Sequence, residues 1–516
     1  MRFFLSATIV SIITTATAQK VGTLLAETPP SLQWYKCVAG GACTSQAGKV
    51  VLDAEWRWLH YYQPGYDNCY GPGGWNPTYC PFANPPPCAQ NCALDGADYS
   101  ATYGITTSGN AITLKYVTPS EEINVNSRVF MLSATDNTKY EIWKLLNKEL
   151  SFDIDVSNLP CGVKGSLYFV EMDADGGKAK YPPNLAGAKY GTGYCDSKCN
   201  RNLWINGEAN TLGYVGPTDP AYVPWYGSCC GEVDLFEGNE YASAFSAHPC
   251  GSITSQTRCH AGSDCSSPDF VPGLCDADGC DWNSYRLGAT SFYGLSKTVD
   301  TSKKFTVVTQ FITSDGTDNG QLVEIKRFYV QNGVVISNNN PTVGGLPANA
   351  ASIKDNFCLA ERNAFGEPDY FTPNGGLTSV GNSLKRGGVL VFGISDDKDR
   401  SLQWLDGVWP QDQIPTNPGV KRGSCDAASG NINETRASVP NASVTFSNVR
   451  IGVIGSTTSP STLGTTTTTT TTTTKTVTAT TTTTTSGALQ TQWGTCGGPT
   501  WTGPTVCQAP YTCKCE

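Results

Sequence analysis

Twenty-two cysteines constrain this chain more than any other feature. Eighteen lie between Cys37 and Cys425 and four crowd between Cys496 and Cys515, so each set is even and can pair within itself. Cross-links in that number form and persist in an oxidising compartment. The N-terminus agrees. Arg2 supplies a positive charge, residues 3–13 are mostly apolar, and Ala16-Thr17-Ala18 is a small-x-small cleavage site. This is the pattern of a signal peptide over residues 1–18, and its apolar run is too short to span a bilayer. The mature chain is expected to begin near Gln19 and to be secreted and extracellular. Adjacent Cys229 and Cys230 cannot easily bridge to each other, so Cys195 and Cys199, similarly spaced in another loop, are their natural partners. Zinc is the rival use of such a cluster, but no His sits beside it and export favours oxidation.

Charge narrows the choice of partner. The formal net charge is −9, with 35 Lys and Arg against 44 Asp and Glu. Nucleic acid and anionic membrane both reward basic patches, so neither is an expected partner. The abundance of Gly, Trp, Tyr, Asn and Thr suits a neutral, hydroxyl-rich ligand, with aromatic faces for sugar rings and amides for their hydroxyls.

Three segments follow the signal. Residues 19–455 form a long region punctuated by glycine. Residues 456–486 are almost pure threonine, which cannot bury enough apolar surface to fold, and are read as a linker. Residues 487–516 form a small cysteine-rich tail. Asn433 and Asn441 begin N-glycosylation sequons. Within the large region, residues 165–173, 304–312, 322–330, 389–394 and 442–451 are β-branched and aromatic and are bounded by turn residues. So many strands with few helical patterns predict an all-β sandwich in one large domain. Helices should be short, with 396–405 one candidate.

Residues 229–239 read CCGEVDLFEGN and carry three acids in six positions. Glycosidic cleavage needs two carboxyl groups in different protonation states, one ionised and one able to protonate the leaving oxygen. Glu232 and Asp234 share one face of a strand, whereas strict alternation would turn Glu237 away. A bulge or bend between Asp234 and Glu237 is therefore required if all three are to act together. Taken alone, the same acids would also suit a polar strand face or a calcium site.

The segment resembles the active-site strand of family 7 glycoside hydrolases, in which Glu-x-Asp-x-x-Glu follows a Cys-Cys pair and precedes His-Pro-Cys. Here that set is Glu232, Asp234 and Glu237, then His248, Pro249 and Cys250. The similarity runs from about residue 31 to 455 and includes MDADGG at 172–177, AKYGTGYCD at 188–196, DADGCDW at 276–282 and TFSNVR at 445–450. The resemblance implies a concanavalin-like jelly-roll β-sandwich with long loops over a cleft or tunnel, making 19–455 the catalytic domain. It implies retaining hydrolysis of β-1,4-glucosidic bonds in cellulose or another β-1,4-glucan, with roughly 5–5.5 Å between the two carboxyl groups. Glu232 resembles the nucleophile, Glu237 the acid/base, Asp234 a partner of the nucleophile, and His248 a neighbour of the pair. No cofactor or metal is implied, and the enzyme is expected to be a monomer.

Substrate contacts follow by position. Trp58 resembles the aromatic at the mouth of the tunnel, Trp404 a platform nearer the product end and Arg422 a product-site arginine, while Tyr168, Tyr194 and Asp196 also fall at substrate-binding positions. The implied disulfides are Cys37–Cys43, Cys69–Cys92, Cys80–Cys88, Cys161–Cys425, Cys195–Cys230, Cys199–Cys229, Cys250–Cys275, Cys259–Cys265 and Cys280–Cys358. Long segments at 61–79, 211–226 and 407–422 resemble the loops of cellobiohydrolases, which release cellobiose from chain ends, rather than those of open-cleft endoglucanases. Four departures point the other way. Ser395 replaces a stacking Trp, Trp204 replaces a Lys-aromatic pair, the 266–274 loop is short, and LFEG stands at 235–238 for the usual IWEA. Contacts of this kind are worth about 1–3 kcal/mol each, by analogy with aromatic stacking on bases. The tail resembles a family 1 carbohydrate-binding module. Three of its cysteines are correctly spaced and Trp493 matches one platform aromatic, but Cys515 comes early, so 487–516 reads as a partial cellulose-binding module. The rival class is a non-catalytic carbohydrate-binding sandwich, which would have no use for three acids and a histidine at this spacing.

Overall fold

The computed structural model describes residues 19–120, 123–214, 225–260, 264–267 and 273–458. The chain divides into two compact units, Met1–Gly464 and Thr465–Glu516. The signal segment, most of the threonine tract, and the tail with Trp493 lie outside the described residues.

Seven antiparallel strands make the sheet that carries the acids. They are β1 (Lys49–Leu52), β2 (Ser127–Leu132), β3 (Lys164–Val170), β4 (Glu232–Gly238), β5 (Ser243–His248), β6 (Cys280–Asn283) and β7 (Val389–Ser395), in the order β6-β5-β4-β3-β7-β2-β1. A second, ten-stranded sheet includes Glu149–Asp155, Phe305–Thr313, Leu322–Gln331 and Ser443–Gly452. All five segments expected as strands are strands, with ends displaced by at most three residues.

Alternation explains how the layers pack. In β3, Leu167 and Phe169 join a core with Phe152, Val307 and Phe446 of the other sheet. Tyr168 and Val170 point oppositely, into a cluster with Val51, Phe130, Tyr194, Cys195 and Cys230. The period of two thus sends one face into the sandwich and the other toward covering loops. Fully burying one such apolar side chain contributes about 1.5–3 kcal/mol. A one-residue slip would reverse every side chain, so the register is strongly specified.

The nine disulfides found among the described residues are the nine implied by the resemblance. The helical expectation needs correction. Within 396–405 only the end of the segment is helical, as part of Gln403–Asp406. Asp397 instead accepts the backbone N–H groups of Asp399 and Arg400 in a turn, and Leu402 takes a left-handed φ of 58°, which a helix cannot pass through. Two longer helices, α1 (Asp355–Phe365) and α2 (Gly376–Arg386), were not anticipated. α2 buries Leu377, Val380 and Leu384 on one face, and α1 ends at Gly366 in the left-handed region. No helix among the described residues is long and apolar enough to cross a membrane.

Candidate active site

The strand bends as the chemistry requires. Along β4, Asp234 pairs with Ser246 of β5, and the next pair is Glu237 with Ala244, so two residues oppose Phe245 alone. The pairing with β3 skips at the same place. Both bulge residues, Leu235 and Phe236, enter the sandwich core. The alternation is thereby reset, and Glu237 returns to the face that holds Glu232 and Asp234.

A buried cation fastens the bulge. The Arg327 guanidinium, on the facing sheet, donates to the backbone carbonyl of Leu235 and to Thr309 Oγ1 at 3.2 Å. It lies 4.1 Å from the centre of the Phe245 ring and is 1 % exposed. The carbonyl freed by the bulge thus keeps a donor, which a buried polar group needs.

Each acid has its own surroundings. Glu232 accepts the Ser197 N–H at 2.9 Å and its hydroxyl at 2.6 Å. Burial and the neighbouring Asp234 raise its carboxyl above the usual range, while His248, Lys198 and Ser197 oppose the rise. Asp234 accepts Ser246 Oγ at 2.7 Å and His248 Nε2 at 2.9 Å. Nδ1 of His248 faces the Asp276 carbonyl at 3.1 Å, so both ring nitrogens meet acceptors. Burial works against the imidazolium, but the bond to Asp234 and the surrounding carboxylates push it up to about 10. Glu237 is paired with the Lys164 amine from the start of β3.

The loop 195–199 completes this floor. Its two end cysteines bond to the adjacent Cys230 and Cys229, just ahead of Glu232. Between them, Asp196 is raised to about 6 by burial and by Glu232. Tyr194 donates to Asp196 at 2.9 Å, and the Tyr168 and Tyr194 hydroxyls meet at 3.0 Å. Arg128 lies 3.3 Å from the centre of the Tyr194 ring. Tyr168, Tyr194 and Asp196 are therefore gathered with Glu232, as buried hydrogen-bonding groups rather than exposed stacking faces.

The aromatic platforms are distributed more widely. Trp404 is half-buried, donates its indole N–H to Asp397 at 2.9 Å, and has the Lys164 and Lys198 amines 4.8 and 5.1 Å from its ring centre. That places it beside Glu237. Trp58 packs against His60, with centroids 4.1 Å apart and planes tilted by 34°, and donates to Asn68 at 2.7 Å. Arg422 donates to Glu367 at 3.2 Å, and burial together with nearby Arg286 lowers it to about 10. The 61–79 and 407–422 loops are described, whereas 215–224 and 268–272 lie outside the described residues, as does Trp493.

Several residues escaped sequence reasoning. Ser246 sits two positions before His248 on the same strand face, a signal that was available. Ser197 and Lys198 follow directly on the recognised 188–196 motif. Arg327 interrupts the inward alternation of Ile325 and Tyr329, where a lone cation on an apolar face marks a special partner.

Known proteins resemble this arrangement closely. The family model described as glycosyl hydrolase family 7 matches residues 21–458, and that for the fungal cellulose binding domain matches 492–515. Among solved structures, a family 7 cellobiohydrolase from Daphnia pulex is 45% identical with a TM-score of 0.80, covering 85% of this chain and 100% of its own. A cellobiohydrolase from Melanocarpus albomyces complexed with cellotetraose is 39% identical with a TM-score of 0.77, covering 85% and 99%. The native endocellulase EGI of Humicola insolens is 32% identical with a TM-score of 0.72, covering 85% and 100%.

Proposed function

The chain belongs to glycosyl hydrolase family 7, and we propose that it hydrolyses β-1,4-glucosidic bonds of cellulose with retention of configuration, releasing cellobiose from chain ends. The observation that carries the mechanism is the bulge at Leu235 and Phe236, which turns Glu232 and Glu237 to one face within a single strand. In the first step Glu232 attacks the anomeric carbon while Glu237 protonates the departing oxygen. In the second, water attacks that carbon and gives its proton to Glu237, and Glu232 leaves. Ser197, His248 and Lys198 surround Glu232 with donors and positive charge, favouring the ionised nucleophile against the effects of burial and of Asp234. Trp58, Trp404 and Arg422 line the path of the glucan. The enzyme acts as a monomer outside the cell, Asn433 and Asn441 carry glycans, and the tail binds cellulose through Trp493.

A 2-deoxy-2-fluoro cellobioside with a good leaving group tests the roles. The expected result is a stable sugar adduct on the peptide containing Glu232; an adduct elsewhere, or none with an active enzyme, overturns the assignment. Product analysis tests the mode of cutting, with cellobiose expected to dominate on cellulose. The second reading is an open-cleft endoglucanase, favoured by Ser395 at a position where a stacking Trp would grip the chain. Rapid viscosity loss of carboxymethylcellulose would select it. Deleting 456–516 should weaken adsorption to crystalline cellulose, and unchanged adsorption would remove the tail from binding.

A further inference from the structure

We propose that Lys164 and Lys198 make the leaving-group side of the cleft a subsite for a sugar bearing a carboxylate, an acidic unit of a β-1,4-glucan chain seated on Trp404. The inference rests on Glu237 as acid/base and deepens that assignment by naming a substrate class.

Two separate elements deliver these amines to one place. Lys164 opens β3 and Lys198 belongs to the loop clamped by Cys195–Cys230 and Cys199–Cys229. Their amines stand 4.8 and 5.1 Å from the centre of the Trp404 ring. Lys164 holds Glu237. The Lys198 amine makes no hydrogen bond or ion pair with any described residue, and the residue is exposed. The protein packed around Lys198 works against its charge, yet Glu237, Glu232, Asp234 and Asp196 keep it protonated beyond the ordinary lysine range.

A neutral glucose unit needs a ring face and a few donors, which Trp404 and one amine supply. Two ammonium groups at one platform exceed that need, because each must give up water to reach the sugar. A carboxylate on the sugar recovers that cost through charge-assisted hydrogen bonds. The catalytic cycle strengthens the match. When Glu237 holds the proton it must donate, Lys164 loses its counter-ion, and a carboxylate on the leaving sugar replaces it. Asp397 does not compete for this role, since its Oδ2 is engaged by the Trp404 indole N–H.

The acidic unit could be oxidised at C1 or at C6, and competition separates the two. Cellobionic acid, cellobiose oxidised at C6 of its non-reducing ring, and cellobiose itself would be compared as inhibitors of aryl cellobioside hydrolysis. At low salt, at least one acid should bind about tenfold more tightly than cellobiose, the effect of one charge-assisted hydrogen bond. The preferred acid identifies the oxidised position. The preference should shrink at high salt and vanish in the Lys164→Gln/Lys198→Gln double variant. It is overturned if neither acid outcompetes cellobiose, or if the preference survives both substitutions. Should the double variant not fold, Lys198→Gln alone is judged by the same ratio, since its amine holds no part of the described fold together. A wild-type enzyme without cellobioside turnover would sink the catalytic assignment instead; calorimetric titration of the three sugars would then still decide the subsite.

Discussion

The two ends of β4 hold their carboxyl groups in opposite ways. At the first end, Glu232 and Asp234 each accept two short, fixed hydrogen bonds, from Ser197, Ser246 and His248, and two disulfides secure the loop that supplies Ser197. At the second end, the one ion-pair partner of Glu237 among the described residues is the long Lys164 amine, which also lies beside Trp404. A nucleophile benefits from a rigid, preorganised setting, because its charge and position must be ready when the substrate arrives. A group that gives and takes a proton within one cycle benefits from a partner that can move away. On the proposed roles of Glu232 and Glu237, the bulge between the two ends lets one strand provide both.

The largest effect should come from disabling each end in turn. Glu232→Gln is expected to reduce cellobioside turnover on the order of 10⁴-fold whatever the leaving group, while retaining ligand binding. Glu237→Gln should cost far less with a nitrophenol leaving group, which departs without a proton, than with glucose. Equal losses for both leaving groups would erase the distinction between the ends. Arg327→Met attacks what lies between them. An unsatisfied Leu235 carbonyl costs about 1–3 kcal/mol, partly offset by removing a buried charge. Turnover should fall about tenfold as Glu237 loses its aim; full activity would show that the bulge holds without Arg327. Ser197→Ala removes one of two donors to Glu232 and should lower kcat several-fold, about 1 kcal/mol, with little change in KM.

The smallest effect concerns stability alone. His248 titrates at about 10 in the fold against 6.5 ordinarily, so its charge stabilises the fold fully below about pH 6.5. That contribution fades as pH rises toward 10. Between pH 7 and 10 the melting temperature of the wild type should therefore fall more steeply than that of His248→Gln. Parallel curves would remove the imidazolium from the rigid end.

Much of this was legible in the residues. β-Branched runs located five strands, and the spacing of Glu232, Asp234 and Glu237 demanded a bulge or bend between them. Recognition of the family supplied the disulfide pairs. What escaped has a physical reason. The helix Gly376–Arg386 contains Gly, Ser, Thr and Asn, poor helix formers held in place by burial of Leu377, Val380 and Leu384. Lys164 and Lys198 stand at the margins of motifs, and their meeting at Trp404 brings together a strand end, a loop and a short helix separated in the chain.

The clamp formed by Cys195, Cys199, Cys229 and Cys230 has a consequence for when the enzyme comes alive. Asp196, Ser197 and Lys198 lie on a tether of three residues between its two bonds, so their positions are set by oxidation as much as by sequence. A newly made chain with these four thiols reduced would carry all three carboxyl groups of β4 and still lack the fixture that seats Ser197 against Glu232. Competence would then be conferred by thiol chemistry after synthesis, and the chain would stay inert until it met an oxidising environment.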